Sequence, residues 1–171
     1  MSLVFPAELD ADALNITAEI AVILVEQRVT APIFDLAGKV LSAAAYADAA
    51  VLALSQSSAS GNFSFVVPRE AGSRVRHVLG QQLWDDLKRG DIQTPRLIED
   101  VVMLTLRTRG QNPQITTCLY ERLAAHGLNI LMISHTHSSS TLIVQASLTQ
   151  AQLVLMPPHL AHTRSVVINQ Q

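Results

Sequence analysis

Apolar positions along this chain recur in two alternating rhythms. A dense run at 16–25, rich in Ile, Val and Leu, reads as a buried strand. After a polar loop at 26–31, Pro32 suits the first position of a helix. Leu36, Ala37, Val40, Leu41 and Ala44 then fall at helical spacing, up to Tyr46. Residues 50–56 read as a strand and 57–61 as a polar turn. At 62–67, Phe63 and Phe65 alternate with Ser64, the period of a half-buried strand. A single helix over 70–89 carries the stripe Val75, Val78, Leu79, Leu83 and Leu87 and stops at Gly90, and a short strand at 92–98 follows.

The same order then recurs. Residues 101–107 read as a strand and 108–112 as a loop. Asn112-Pro113 supplies an N-cap and a first helical proline. Ile115, Cys118, Leu119 and Leu123 form the buried stripe, and Gly127 caps the helix. Strands are expected at 128–135 and 140–146. A second helix within 147–162 is cut short or bent by Pro157-Pro158, and 165–169 is a last strand. Each half spells β-α-β-β-α-β, the ferredoxin-like order of an antiparallel sheet with helices on one face. The expected fold class is therefore α+β, with the helix-free face open to a partner.

Local wording repeats as well. Leu54-Ser55-Gln56-Ser57-Ser58 and Ile133-Ser134-His135-Thr136-His137 each follow a helix and lead into an apolar strand. Self-similarity at a constant offset means one structural unit used twice.

Composition narrows the function classes. Of 171 residues, 49% are hydrophobic and 15% charged, enough apolar content for a packed core. The net charge of −2 comes with no Lys/Arg run, so neither nucleic acid nor a membrane surface is an expected partner. Cys118 is the single cysteine, which excludes an internal disulfide and, with no basic, apolar leader at the start, leads to the expectation of a cytoplasmic chain. No phosphate-cradling Gly-Lys-Ser/Thr loop and no nucleophile elbow occur. His135 and His137 sit at i and i+2 and would face the same way in a strand, but His126, His159 and His162 give no convincing third ligand, so neither a metal nor a cofactor is expected. Asp85 and Asp86 are expected to be solvated on their helix.

The stretch Leu-Ser-Gln-Ser-Ser-Ala-Ser-Gly-Asn-Phe-Ser-Phe-Val-Val-Pro resembles the signature of the regulatory ACT domains of aspartate kinases, loosely Ile-Ser-Gln-x-Ser-Ser-Glu-x-x-Ile-Ser-Phe-Val-Val. Leu83-Trp84-Asp85-Asp86-Leu87-Lys88-Arg89-Gly90 resembles the matching helix end in aspartokinase–homoserine dehydrogenase fusions, and Leu128-Asn129-Ile130 resembles the family's run into its second copy. The similarity spans roughly 17–146. It implies two ferredoxin-like ACT domains, 15–98 and 99–171 after an arm at 1–14, with terminal strands open to exchange between them. It implies a sensor of an end-product amino acid of the threonine or lysine class, acting through a homodimer and, in partnership, on a kinase catalytic domain. The family's Lys-Phe-Gly-Gly nucleotide motif is absent, so the chain alone is expected to be no enzyme.

The resemblance also implies site residues. Gln56 matches the family's effector-contacting glutamine, flanked by Ser55 and Leu54, and His135 takes that position in the second copy, flanked by Ser134 and Ile133. A glutamine side chain offers two donors and an acceptor to a zwitterion. The loop before each first helix offers backbone N–H groups and a helix dipole to a carboxylate. In the second copy that loop carries Gly110 and Asn112, whereas in the first Glu26-Gln27-Arg28-Val29-Thr30-Ala31 has no glycine. The rival expectation is an effector-blind ACT scaffold that only mediates oligomerisation or partner binding.

Overall fold

A computed structural model describes residues 11–28, 36–57, 61–108, 113–155 and 166–169. The elements are β1 (Ala11–Val25), α1 (Leu36–Tyr46), β2 (Ala53–Gln56), β3 (Phe63–Pro68), α2 (Arg69–Gln82), α3 (Trp84–Arg89), β4 (Arg96–Thr108), α4 (Pro113–Ala125), β5 (Asn129–His135), β6 (Ser139–Gln145), α5 (Leu148–Leu155) and β7 (Val166–Asn169). They form two compact units, Glu19–Asp100 and a second one assembled from Met1–Ala18 with Val101–Gln171. Thus β1 and β4 each give one half to either unit.

In the unit Glu19–Asp100 the strand order is β2-β3-β1-β4. Strand β3 runs antiparallel to β1, with Val25 opposite Phe63 and Ile20 opposite Pro68, and β2 lies antiparallel on its other side, with Gln56 opposite Phe63. This is the ferredoxin-like order. Ile23, Val25, Phe63, Phe65 and Val67 face Leu36, Val40, Ala43 and Ala44 of α1 and Ala71, Val75 and Leu79 of α2 in one buried cluster. Helices on one face of an antiparallel sheet are what the alternation of the strands and the stripes of the helices require.

The other unit orders its strands β1-β4-β6-β5, with β7 outside β1. Strand β6 is antiparallel to both β4 and β5. The last strand pairs parallel with β1, Leu14 opposite Val166 and Thr17 opposite Asn169. Leu14, Ile16, Val102, Leu104, Leu106, Leu142 and Val144 pack on Leu119 and Leu123 of α4 and on Ala151, Val154 and Leu155 of α5.

Several elements differ from the sequence reading. Strands expected at 92–98 and 101–107 are one strand, because exposed Glu99 and Asp100 interrupt the apolar pattern without interrupting the backbone. The helix expected over 70–89 is two, divided at Leu83, whose ψ of 12° leaves the helical range while its side chain stays in the core. Ile20, Val22 and Val66, which alternate along their strands with the residues packed on α1 and α2, are at most 1% exposed. Asp86, expected to be solvated, is buried, where Lys39 Nζ of α1 meets it at 2.7 Å and Arg89 closes on its other oxygen. A buried carboxylate is tolerable when paired in this way.

The helix ends carry the duplication in their backbone. After α4, the Leu128 N–H bonds the Leu123 carbonyl at 3.0 Å and the Gly127 N–H bonds that of Ala124 at 3.0 Å, with Gly127 at φ 68°. After α1, Ala49 bonds Ala44 at 2.9 Å and Asp48 bonds Ala45 at 3.0 Å, with Asp48 at φ 49°. Both are Schellman closures. Their left-handed residues, Asp48 and Gly127, stand at the same offset of 79 as Gln56 and His135.

Candidate functional site

Gln56 is the last residue of β2, and β2 ends the strand order of its unit. An edge strand exposes one row of backbone groups and alternate side chains. Here Leu54 and Gln56 are exposed, Leu54 by 51%, while Ser55 is half-buried. The hairpin beyond Gln56 is closed by the Ser57 N–H on the Asn62 carbonyl and by the Gly61 N–H on the Ser57 carbonyl, both at 2.9 Å. The Asn62 side-chain oxygen accepts the Gln27 N–H at 3.1 Å. This bond ties the tail of β1 to the hairpin that carries Gln56, so the end of β2 and the start of the loop leading to α1 come together.

That tail is not the open loop expected at 26–31. The Arg28 N–H bonds the Asp91 carbonyl and the Gln93 N–H bonds the Glu26 carbonyl, both at 2.8 Å, around a bridge between Gln27 and Ile92. The N–H groups of Gln27 and Arg28 are therefore spent within the fold. Residues 29–31 lie outside the described residues.

His135 closes β5, which likewise ends the strand order of its own unit. Ile133, Ser134 and His135 are all exposed, Ile133 by 47%. The structure gives His135 a ring of partners that the sequence reading missed. Its Nε2 lies 3.0 Å from the Tyr120 hydroxyl and its Nδ1 2.9 Å from the Ser140 hydroxyl, which in turn lies 3.4 Å from the Thr116 hydroxyl. The Tyr120 and His135 rings meet edge to face at 6.5 Å. Thr116 and Tyr120 are four residues apart on α4, the one available sequence signal that both lie on one helix face. Burial holds the Tyr120 phenol above its ordinary pKa. Both nitrogens of His135 are thus engaged, whereas Gln56 stands exposed at the edge. A bulge separates Ile130 from Met132 in the pairing of β5 with β6 and sets the three exposed residues that follow.

His137 lies beyond β5 in the turn rather than in the strand, so the expected common facing with His135 does not arise. Among the described residues no group of three His, Cys, Asp or Glu side chains could hold a metal ion. Gly110 and Asn112 lie outside the described residues. Among the described residues no helix is long and apolar enough to cross a membrane.

No protein-family model matches the chain, and no curated protein matches it. Solved structures do. The ligand-free regulatory subunit of aspartate kinase from Thermus thermophilus superposes with a TM-score of 0.67 at 19% identity, over 89% of this chain and 97% of that one. A structure of aspartokinase alpha and beta subunits gives 0.67 at 20% identity, over 90% and 97%. The chain has the fold of an aspartate kinase regulatory subunit. Aspartokinase III of E. coli, solved with lysine and aspartate, gives 0.58 at 12% identity over 89% of this chain and 33% of that enzyme. These are regulatory ACT domains, and the antiparallel sheets and one-sided helices described above are theirs.

Proposed function

We propose that this chain is a regulatory amino-acid-binding module of the aspartate kinase type, with two ACT copies at 15–98 and 99–171 that exchange terminal strands. It senses an end-product amino acid of the threonine or lysine class and acts through a homodimer on a kinase catalytic domain. One observation carries the reading: Gln56 and His135, at one offset, each end the edge strand of a ferredoxin-like unit. The likeness to regulatory subunits over nearly their whole length supports it, as does the lysine in the E. coli neighbour's structure.

The two sites are unequal in this reading. Gln56, with Ser55 and Leu54 beside it, offers its exposed amide to the zwitterion. His135, with Ser134 and Ile133, must first exchange Tyr120 or Ser140 for the ligand, so the second site is the weaker. Gly110 and Asn112 complete it on the loop before α4, where a helix N-terminus favours a carboxylate. The effector works by preferring one arrangement of the dimer, since equal affinity for both would shift nothing.

Calorimetric titration with lysine, threonine and methionine tests the proposal. Saturable heat that Gln56→Ala weakens is expected. Absence of heat and of a thermal shift with all three refutes sensing and favours a scaffold whose oligomeric state Gln56→Ala leaves intact.

A further inference from the structure

An open cleft of about 1010 Å³ lies within the unit Glu19–Asp100, where the tail of β1, the second half of α2, α3 and the approach to β4 meet. Arg28, Arg76, His77, Gln81, Trp84 and Thr94 line it. Three acids of this region are committed, Asp86 to Lys39 and Arg89, Asp91 to Arg89 and Glu26 to Arg96, while Asp85 stands exposed on α3 beside Trp84. Among the described residues the guanidinium groups of Arg28 and Arg76 have no carboxylate partner. Trp84 is 56% exposed, and Lys88 Nζ stands over one side of its ring, 4.9 Å from the centroid. Gln81 Nε2 lies 3.1 Å from His77 Nε2.

Two uncompensated guanidinium groups in a concavity recognise phosphate or carboxylate oxygens, and an exposed indole offers a planar ring a surface to stack on. We propose that this cleft binds a nucleoside phosphate, with Arg28 and Arg76 on the phosphate oxygens and Trp84 against the base. The site uses none of the residues assigned to the amino acid and stands or falls apart from that reading.

Trp84 is the single tryptophan, so fluorescence excited at the red edge, where only tryptophan absorbs, reports on the cleft. Titration of the whole chain with ADP should change it saturably, and adenosine and inorganic phosphate should each bind more weakly than ADP. Arg28→Gln and Arg76→Gln should each weaken ADP binding about tenfold with unchanged far-ultraviolet circular dichroism, and added salt should weaken it in the parent. Gln56→Ala should bind ADP as the parent does. The proposal is overturned if millimolar ADP produces no saturable change, if both arginine variants bind like the parent, or if inorganic phosphate binds as tightly as ADP.

Discussion

Replacing glycine by alanine should change stability with opposite signs at two open positions of this fold. A Cβ added at Gly80, inside α2, meets nothing within 4 Å, and its φ lies outside the left-handed range. Alanine there gains only helix propensity, so Gly80→Ala should stabilise by about 0.5–1 kcal/mol. A Cβ added at Gly127 also meets nothing within 4 Å, but φ is +68°. The cost is then purely conformational, about 1–2 kcal/mol for an L-residue held left-handed. A loss of unfolded-state freedom worth about 0.4–1 kcal/mol offsets part of it. Gly127→Ala should therefore destabilise by about 1 kcal/mol. Gly72 supplies a third case, because its added Cβ would lie 2.9 Å from Leu97 Cδ1 and 3.3 Å from Ala21 Cβ. Overpacking of that kind costs about 1–3 kcal/mol, more than the propensity gain. Urea unfolding at constant m-value, or thermal midpoints moving about 2–4 °C per kcal/mol at this chain length, resolves all three. Midpoints of Gly80→Ala and Gly127→Ala that move in the same direction would refute the reasoning.

Further outcomes follow from the same structure. Asp86→Ala should lower the unfolding midpoint by several degrees and Asp85→Ala hardly at all, because Asp86 is the buried partner of Lys39 and Arg89 and Asp85 is exposed; equal effects in thermal scans would contradict the burial. Ser147 and Gln150 form a reciprocal capping box at α5, with the Gln150 N–H on Ser147 Oγ at 3.2 Å and the Ser147 N–H on Gln150 Oε1 at 2.9 Å. Ser147→Ala should cost about 1 kcal/mol in urea unfolding. Because burial raises the Tyr120 pKa above its ordinary value of 10.0, the folded chain keeps that proton where the unfolded chain loses it. Its contribution is then complete below pH 10 and declines as pH rises towards the folded pKa. Tyr120→Phe should flatten that alkaline decline, measured as unfolding free energy against pH.

Much of the architecture was legible in the sequence, since strand alternation and helical stripes are local signals. Gly90 and Gly127 ended helices as expected and α4 begins at Pro113, whereas Asn112 and Pro157-Pro158 lie outside the described residues. What escaped depended on partners distant in sequence. Asp86 reads as a surface acid until α1 brings Lys39 to it across 47 residues. Glu99 and Asp100 read as a break because exposed polar residues in a long strand resemble a loop. His135 was legible as the counterpart of Gln56, but its capture by Tyr120 and Ser140 needed the packing of α4 beside β5. The backbone at 26–28 looked free because its partners, Asn62 and 91–93, arrive only with the tertiary fold.

Because β1 and β4 each serve both units, translation meets a scheduling problem. Residues 11–18 leave the ribosome long before 101–108, their neighbours in the sheet, and Leu14 waits longer still for Val166. Throughout that interval an apolar ribbon has no fixed pairing, the condition under which nascent chains misassociate. Deleting residues 11–18 would accordingly strip an internal strand from the unit built mainly of residues 101–171.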